Sequence, residues 1–355
     1  MGASLKSRKF GTLPNGQDVE AWTLRGAGGL EIEAMTYGGV VTRLLAPDRA
    51  GKLTDVVLGF NALEDYLSGN AYFGAIIGRV AGRIAGAKFQ VDGTTYNLFP
   101  NDPPNHLHGG LQGFDKKVWK ALPANRQDGA PSLRLSACSP DGEEGYPGTV
   151  QVDMTYTVTD NNIFFIGTNA VADRSTPFSL THHSYFNLAG EAAGMVEGHE
   201  LEVYADEFVP VSADLTPLGR LETVTNCSND FRISRRLSSA IPKLFQHHGD
   251  LYRLRKPSAN GTESEPVPAA RLVHRESGRV LNVSTTEAYM QLYTGSALDG
   301  SLIGKSGIPY CKHAGICFEC QAYPDGANAA QMGNMILNAG ERLRQITAYA
   351  FSTMA

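Results

Sequence analysis

The stretch Val150-Gln-Val-Asp-Met-Thr-Tyr-Thr-Val-Thr-Asp-Asn-Asn-Ile-Phe-Phe-Ile-Gly-Thr-Asn-Ala170 decides the class of fold. Its first run alternates apolar and polar residues, which is the period of a half-buried β-strand. The second run is rich in aromatic and β-branched residues, which favour strands. Between the two runs, Thr159-Asp-Asn-Asn162 is typical of a hairpin turn. The stretch therefore predicts two antiparallel strands joined by a tight turn.

The same short apolar-alternating pattern recurs along the chain. The chain has 39 Gly and 18 Pro, spread evenly among these runs. Such frequent turn-forming residues between short runs indicate sheets rather than helices. Helical periodicity is weak, and residues 62–67 form at most one or two turns. We predict an all-β protein, a single large β-sandwich of mostly antiparallel strands forming one domain over residues 1–355, with a surface loop at 256–268. The predicted strands lie at 30–37, 56–60, 133–138, 150–158, 163–170, 200–205, 279–285, 289–294 and 316–321.

Composition excludes several classes of function. The formal net charge is -5 and there is no basic run, so we expect no nucleic-acid partner. No apolar run reaches the roughly 18 residues that a membrane span requires. Five cysteines without paired spacing predict no disulfide framework. The N-terminus lacks the apolar segment of a signal peptide, so we expect a cytoplasmic protein unless a signal has been removed.

The most informative candidate site is the stretch Phe178-Ser-Leu-Thr-His-His-Ser-Tyr-Phe-Asn-Leu-Ala-Gly190, whose front half is predicted to be a strand. Alternation puts Ser179, Thr181, His183, Tyr185 and Asn187 on one face, which is polar throughout. Such a face suits the floor of a sugar-sized cleft. Taken alone, the pattern fits two satisfied histidines in a half-buried strand better than a site.

Two clusters of cationic or imidazole side chains are further candidates. Arg79 and Arg83 lie in a Gly-rich segment, where they are either surface charge or donors to an oxygen-rich ligand. His106 and His108 share one face if their segment is a strand, a spacing that suits a metal ion. No carboxylate follows them closely, and a lone Cys317-x-x-Cys320 has no second pair, so no metal is predicted.

The strand predicted at 316–321 carries a carboxylate among apolar residues. Parity puts Cys317, Glu319 and Gln321 on one face. A carboxylate in such a strand costs free energy unless it is paired or functional, so Glu319 is either a candidate base or half of a structural ion pair. The strand at 289–294 similarly has Gln291 between two tyrosines.

Taken together, these motifs resemble the aldose 1-epimerase family over nearly the whole chain. The family's ordered segments correspond to Arg83-Ile84, Leu107-His108-Gly-Gly110, the strand with His183, Gln291-Leu-Tyr-Thr-Gly295, and Glu319-Cys-Gln-Ala-Tyr-Pro-Asp-Gly-Ala-Asn328. The resemblance implies a large β-sandwich with a sugar cleft on the concave face of one sheet. It also implies a reaction that needs neither metal nor cofactor.

The resemblance assigns roles to individual residues. Glu319 is the implied catalytic base and His183 the implied acid, which requires an ionised Glu and a protonated His in the active enzyme. The implied sugar-binding residues are Arg83, His108, Gln291 and, with a one-residue gap in the segment His247-His-Gly-Asp250, Asp250.

Two positions depart from the family pattern. Gly82 stands where the family usually has Asn, so we expect the loss of one hydrogen bond to the sugar. His182 replaces the Asn that precedes the catalytic His, but parity places it on the other strand face.

The implied activity is interconversion of the α and β anomers of free aldohexoses such as galactose and glucose. The expected partner is a monosaccharide, and the expected assembly is a monomer or a homodimer. Three alternatives remain: a non-catalytic sugar-binding module, a hexose-6-phosphate epimerase, and a glycoside hydrolase or lyase. The last normally requires two carboxylates, and only Glu319 is well placed by motif.

Overall fold

The computed structural model describes residues 2–68, 71–124, 126–241, 249–255 and 265–354. Within these ranges the regular secondary structure consists almost entirely of β-strands. The strands in chain order are β1 (Ser4–Thr12), β2 (Asp18–Arg25), β3 (Glu31–Met35), β4 (Val41–Pro47), β5 (Leu53–Asp55), β6 (Ile76–Ile77), β7 (Arg83–Ile84), β8 (Lys88–Val91), β9 (Thr94–Asn97), β10 (His106–Leu107), β11 (Lys120–Pro123), β12 (Ser132–Ser139), β13 (Val150–Val158), β14 (Ile163–Ala172), β15 (Thr176–Pro177), β16 (Thr181–His182), β17 (Glu200–Val203), β18 (Ala205–Val209), β19 (Glu222–Thr223), β20 (Arg235–Arg236), β21 (Asp250–Leu254), β22 (Val267–His274), β23 (Arg279–Thr285), β24 (Tyr289–Tyr293), β25 (Cys317–Gln321), β26 (Ile336–Leu337) and β27 (Arg342–Thr353).

Helices are short and few among the described residues. The α-helices are α1 (Leu63–Ser68) and α2 (Leu237–Ala240), and single 3₁₀ turns lie at Ala85–Ala87, Phe114–Lys116, Glu143–Gly145, Val196–Gly198 and Ala330–Met332. The first helix agrees with the turn predicted at 62–67. In the part of the chain that the structure describes, no helix is long and apolar enough to cross a membrane.

The largest sheet has nine strands in the order β11-β12-β13-β14-β27-β23-β22-β17-β20. The predicted hairpin is confirmed: β13 and β14 pair antiparallel, and the amide of Asn162 donates to the carbonyl of Thr159 across the turn. The C-terminal strand β27 lies between β14 and β23 and pairs with both. The last residues of the chain therefore join the two halves of this sheet.

Two five-stranded sheets accompany the large one, β1-β2-β3-β4-β5 and β19-β18-β21-β24-β25. All three contribute buried side chains to one hydrophobic cluster, for example Ile32, Tyr156 and Leu292. Because side chains alternate along a strand, the residues next to these core positions face away from the core. In the second five-stranded sheet, this outward face forms the floor of the cleft that is described below as the candidate active site.

Two predicted strands are wrong. Residues 56–60 form only a bridge between Val57 and Phe186, and the stretch 178–190 contains only the two-residue strand β16. That stretch pairs in short pieces with β6 and, by isolated bridges, with Val80 and Ile316. The stretch has the residue composition of a strand. It forms no longer strand because each neighbouring segment pairs with only one or two of its residues.

Other predicted elements shift at their boundaries. The strand predicted at 200–205 divides into β17 and β18, which belong to different sheets. Residues 256–264 of the predicted surface loop lie outside the described residues, while Val267 and Pro268 belong to β22.

Candidate active site

A cleft of about 540 Å³ opens over the outward face of the sheet that ends in β25. The register of β24 on β25 sets Gln291 opposite Glu319, and both side chains line the cleft. Their strand neighbours Leu292 and Phe318 lie in the core, as parity predicts. Further lining residues include Tyr72, Gly82, Arg83, Asp102, His108, Asp115, Lys116, His183, Tyr185, Leu251, Tyr293, Asp299 and Gln321.

The chemistry of this cleft centres on two buried ionisable groups. The Nε2 atom of His183 lies 3.5 Å from Oε1 of Glu319, and each side chain is only 4% exposed. Burial raises the pKa of Glu319 to about 8, against a smaller lowering effect of Arg83. Burial lowers the pKa of His183 to about 4. Both shifts follow from the cost of holding a charge away from water.

These shifts favour the uncharged form of each group, with Glu319 protonated and His183 neutral. The roles implied by the family resemblance use the charged forms of the same two groups. The expectation of an ionised Glu and a protonated His concerns the active enzyme and stays a prediction. The two arrangements differ only by moving one proton across the 3.5 Å gap between Nε2 and Oε1.

His108 is held as a neutral hydrogen-bond donor. The backbone amide of Gly82 donates to Nδ1 of His108 at 3.1 Å. Burial lowers the pKa of His108 well below its ordinary value, with neighbouring His183 and Arg83 adding to the effect. A neutral imidazole carries one N–H, so the proton of His108 resides on Nε2. His108 has a positive φ of 54°, which takes its side chain out of the alternation of β10.

The pairing of His106 with His108 on one face is wrong. His106 is fully buried, its Nδ1 lies 2.7 Å from the carbonyl oxygen of Phe99, and its ring packs edge-on against Tyr146. The turn at His108 separates the two rings, because alternation holds only while the backbone stays extended.

Three side chains in the cleft have the composition of a metal site. The ligand atoms of His108, His183 and Glu319 lie within 4.8 Å of one another. However, the Gly82 amide already occupies Nδ1 of His108, so Nε2 carries the proton and has no lone pair for a metal. Binding a cation through Nε2 requires a tautomer that would turn Nδ1–H against the Gly82 N–H. The donor set therefore fits a metal poorly.

Arg83 enters the cleft on β7 and is oriented by an ion pair. Its Nε donates to Oδ2 of Asp102 at 2.7 Å, which leaves the two terminal nitrogens of the guanidinium for other partners. Arg79, the other arginine of the segment, is 3% exposed and bonds Ser139, Thr176 and the carbonyls of Pro147 and Gly148. It is a structural residue outside the cleft.

The structure places Asp250, the fourth implied sugar-binding residue, outside the cleft. Its neighbour Leu251 pairs with Gln291 and lines the cleft, so Asp250 faces the other side of β21. There it accepts a hydrogen bond of 3.1 Å from Nδ2 of Asn229, and burial raises its pKa to about 7. His247 and His248, which belong to the segment used for that assignment, lie outside the described residues.

The two departures from the family pattern have structural explanations. Gly82 has a φ of +79°, and a Cβ there would come within 2.7 Å of Cβ of Pro324. Pro324 thus occupies the space that a side chain at this position would need. His182 faces the core, where its ring packs against Tyr156, Phe164 and Tyr349 and burial lowers its pKa to about 3.

Sequence reasoning missed several residues of the cleft. Tyr72 stacks on His183 with ring centroids 5.8 Å apart and meets His108 edge-on at 5.0 Å. It has a φ of +56°, and no local pattern predicted its position. No pattern in the sequence predicted that Asp102 and Lys116 line the cleft. Tyr185, which strand alternation places on the polar face with His183, does line the cleft.

Comparisons with known proteins identify the family and support the fold. Residues 20–350 match the model of the family described as aldose 1-epimerase. The chain belongs to the aldose 1-epimerase family. It is 42% identical over 344 residues to a galactose mutarotase of Rattus norvegicus, with 97% of each chain covered. It is 32% identical over 345 residues to an aldose 1-epimerase of Escherichia coli, with 95% of this chain and 96% of that protein covered.

A solved structure supports the fold over the full length. The galactose 1-epimerase from Lactobacillus acidophilus superposes with a TM-score of 0.85 at 25% identity, covering 100% of both chains. The predictions of family, all-β fold and activity are thus confirmed. This member of the family is an isomerase that interconverts the anomers of aldoses.

Proposed function

We propose that this epimerase interconverts the α and β anomers of free aldohexoses, including galactose and glucose, by proton transfer between the sugar, Glu319 and His183. One observation carries the proposal. A buried carboxyl and a buried imidazole lie 3.5 Å apart in a polar cleft, where burial raises the pKa of the carboxyl and lowers that of the imidazole. Opening a hemiacetal requires one group that takes a proton and one that gives a proton.

The reaction cycle uses both arrangements of that proton. Glu319 as carboxylate takes the proton of the anomeric hydroxyl while protonated His183 gives one to the ring oxygen, and the bond between C1 and the ring oxygen breaks. The pair is then uncharged beside the open-chain aldehyde. After rotation about C1–C2 the ring recloses on the other face, His183 regains its proton and Glu319 returns to carboxylate.

Burial favours the protonation state that Glu319 and His183 reach after the sugar ring has opened. The uncharged pair, with Glu319 protonated and His183 neutral, is the state that desolvation by the protein favours. It is also the state that accompanies the open-chain sugar. Burial of the pair therefore stabilises the open-chain intermediate relative to the ring forms, and a site that favours the high-energy species over the ground state accelerates the reaction.

Arg83, His108 and Gln291 hold the sugar in this proposal. Arg83 has donors left over from its bond to Asp102, and His108 offers its Nε2–H as a neutral donor. Gln291 lies beside Glu319 on the adjacent strand. Donors that are already fixed by protein contacts can stabilise charge on a sugar oxygen without reorganising.

The phosphorylated-sugar alternative has little support. Among the cleft-lining residues that the structure describes, the cations are Arg83 and Lys116, and the carboxylates are Asp102, Asp115, Asp299 and Glu319. Lys116 is paired with Asp115 at 2.6 Å, and Arg83 with Asp102. A phosphate monoester would meet more negative than positive charge in this cleft.

Polarimetry on freshly dissolved α-galactose and α-glucose tests the activity. We expect mutarotation well above the spontaneous rate, and a much slower reaction with glucose 6-phosphate. Sugar binding without acceleration would support a non-catalytic module. Release of new reducing ends from an oligosaccharide would support a hydrolase, and a preference for the phosphorylated sugar would favour the phosphate epimerase.

We also propose that the reaction needs no metal or cofactor. The tautomer of His108 and the sufficiency of two proton-transfer groups support this. Activity after dialysis against a chelator should equal that before dialysis. Loss of activity that zinc or another divalent ion restores would overturn the proposal.

The remaining expectations concern assembly and location. We propose a monomer or homodimer in the cytoplasm, with no nucleic-acid or membrane partner. Cys138, Cys227 and Cys311 are free and exposed, which suits a reducing compartment. Light scattering coupled to size-exclusion chromatography gives the assembly state, and fractionation of the native cells gives the compartment.

A further inference from the structure

Two tyrosine rings stack on the ring of His183. Tyr185 stacks on it with centroids 5.0 Å apart and Tyr72 with centroids 5.8 Å apart, each at an interplanar angle of 28°. Tyr293 and His108 approach more nearly edge-on, at 6.4 and 5.6 Å. Packing against these four rings fixes the plane of the imidazole, and the hydrogen bonds of the ring run within that plane through its two nitrogens.

The two nitrogens face different groups on one strand. Nε2 faces Glu319, and Nδ1 lies 3.6 Å from Sγ of Cys317. Cys317 is fully buried and precedes Glu319 by two residues on β25, so alternation turns both side chains to the same face. The same strand thus positions the carboxyl of Glu319 near Nε2 and the thiol of Cys317 near Nδ1.

The chemistry of the cycle assigns a protonation state to Nδ1. Proton transfer with Glu319 and the sugar occurs at Nε2, so Nδ1 must keep its hydrogen whether His183 is neutral or protonated. Sulfur is a weak acceptor for such an N–H. Burial and nearby Glu319 raise the pKa of Cys317 well above its usual value, so the thiol stays neutral. A neutral acceptor orients the ring without adding charge to the site.

We propose that Cys317 is a positioning residue, whose Sγ accepts a hydrogen bond from Nδ1–H of His183 and fixes the tautomer that leaves Nε2 for proton transfer. This inference rests on the proposed roles of His183 and Glu319. It assigns no chemical step to the thiol.

The tautomer itself can be measured on the whole protein. Long-range ¹H–¹⁵N correlation spectra of histidine-labelled protein near pH 7 report which ring nitrogen carries the proton. The signal of His183 is the one that disappears in His183→Asn, and we expect it to show the proton on Nδ1. In Cys317→Ala this preference should fall. A wild-type spectrum with the proton on Nε2 would overturn the proposal, and this reading holds even if the variant fails to fold.

Kinetics supply a second readout with a matched control. Cys320 is buried on the core face of the same strand, so Cys320→Ala removes the same atom away from the site. Cys317→Ala should lower kcat roughly tenfold with KM within twofold, since a second group that orients a catalytic His acts on turnover. Cys317→Ser, which keeps an acceptor, should recover part of the loss.

Equal kcat values for Cys317→Ala and Cys320→Ala would contradict the proposal. Failure of the proposed function would look different. In that case the wild type would not accelerate mutarotation at all, while the spectrum would still report the tautomer of His183.

Discussion

At the scale of the residue, burial sets where the pair Glu319 and His183 titrates. The pair gains its second proton near the pKa of His183, about 4, and loses its last near that of Glu319, about 8. We expect kcat/KM to rise with pH through about 4, to stay level, and to fall through about 8. Rates of mutarotation in buffers from pH 3 to 10, corrected for the spontaneous reaction, give this profile.

The position of the alkaline limb decides whether burial controls the pair. An alkaline limb near 6.5, the ordinary pKa of His, would contradict the shifts. The profile counts protons on the pair and does not say which group holds each one. It is therefore compatible with a working form in which the single proton has moved to His183.

Substitutions at the same pair test the proposed roles. Glu319→Gln and His183→Asn each remove one proton-transfer group and should lower kcat by roughly 10²–10⁴. The fall in kcat of the double variant should be smaller than the product of the two single falls, because the effects of residues that act as a unit are not additive. Stopped-flow or polarimetric assays at the pH optimum measure these changes.

The neighbouring histidine is the control for this experiment. His182 packs among core aromatic rings, so His182→Asn should leave kcat within about threefold of wild type while lowering stability. If His182→Asn abolished activity and His183→Asn spared it, the assignment of the proton-transfer pair would fail.

Sugar binding is tested at Arg83 and His108. Arg83→Lys keeps the charge, but a single ammonium cannot serve both Asp102 and the sugar. Losing a charge-assisted bond to a ligand costs roughly 1.5–3 kcal/mol, so kcat/KM should fall by at least about tenfold in Arg83→Lys. His108→Ala should behave similarly, and Arg126→Lys, in an exposed pair with Asp128, should change nothing. Values within twofold of wild type would refute the binding roles.

At the scale of the element, β21 has one face in the cleft and one in the protein interior. Asp250 on the interior face has a pKa raised to about 7 by burial. Its folded-state pKa exceeds the unfolded value of about 3.9, so the folded state favours the protonated form. Folding stability from this group is complete below pH 3.9 and falls as the pH rises toward 7.

Asp250→Asn therefore separates stability from catalysis. It keeps the shape and the contact with Asn229 but cannot ionise. We expect it to raise the free energy of unfolding at pH 8 by roughly 1–4 kcal/mol, with little change at pH 4, and to keep kcat/KM within twofold. Urea unfolding at the two pH values checks this. A large loss of kcat/KM without loss of stability would restore Asp250 to the sugar site.

At the scale of the whole molecule, one hydrophobic cluster draws residues from Leu24 to Phe351. We propose on this basis that the chain is a single domain and unfolds in one cooperative step. Far-UV circular dichroism and the fluorescence of Trp22 and buried Trp119 should follow the same transition. Removing β27, which pairs with β14 and β23, should prevent folding. Two separate transitions would instead divide the chain into domains.

The sequence by itself determined features that depend on local alternation and composition. The hairpin of β13 and β14, the outward face of Glu319 and Gln321, and the core position of His182 all follow from the period-two geometry of extended backbone. That geometry needs no knowledge of distant residues, so a single chain reveals it.

Only the tertiary structure decided how these faces meet and which charges they carry. The turn at His108, the interior face of Asp250, and the stacking of Tyr72 on His183 depend on segments far apart in the chain. Protonation depends on them as well, because the pKa of Glu319 reports how completely the surrounding elements exclude water from one carboxyl. Desolvation is a property of the assembled cleft, and no local pattern of residues encodes it.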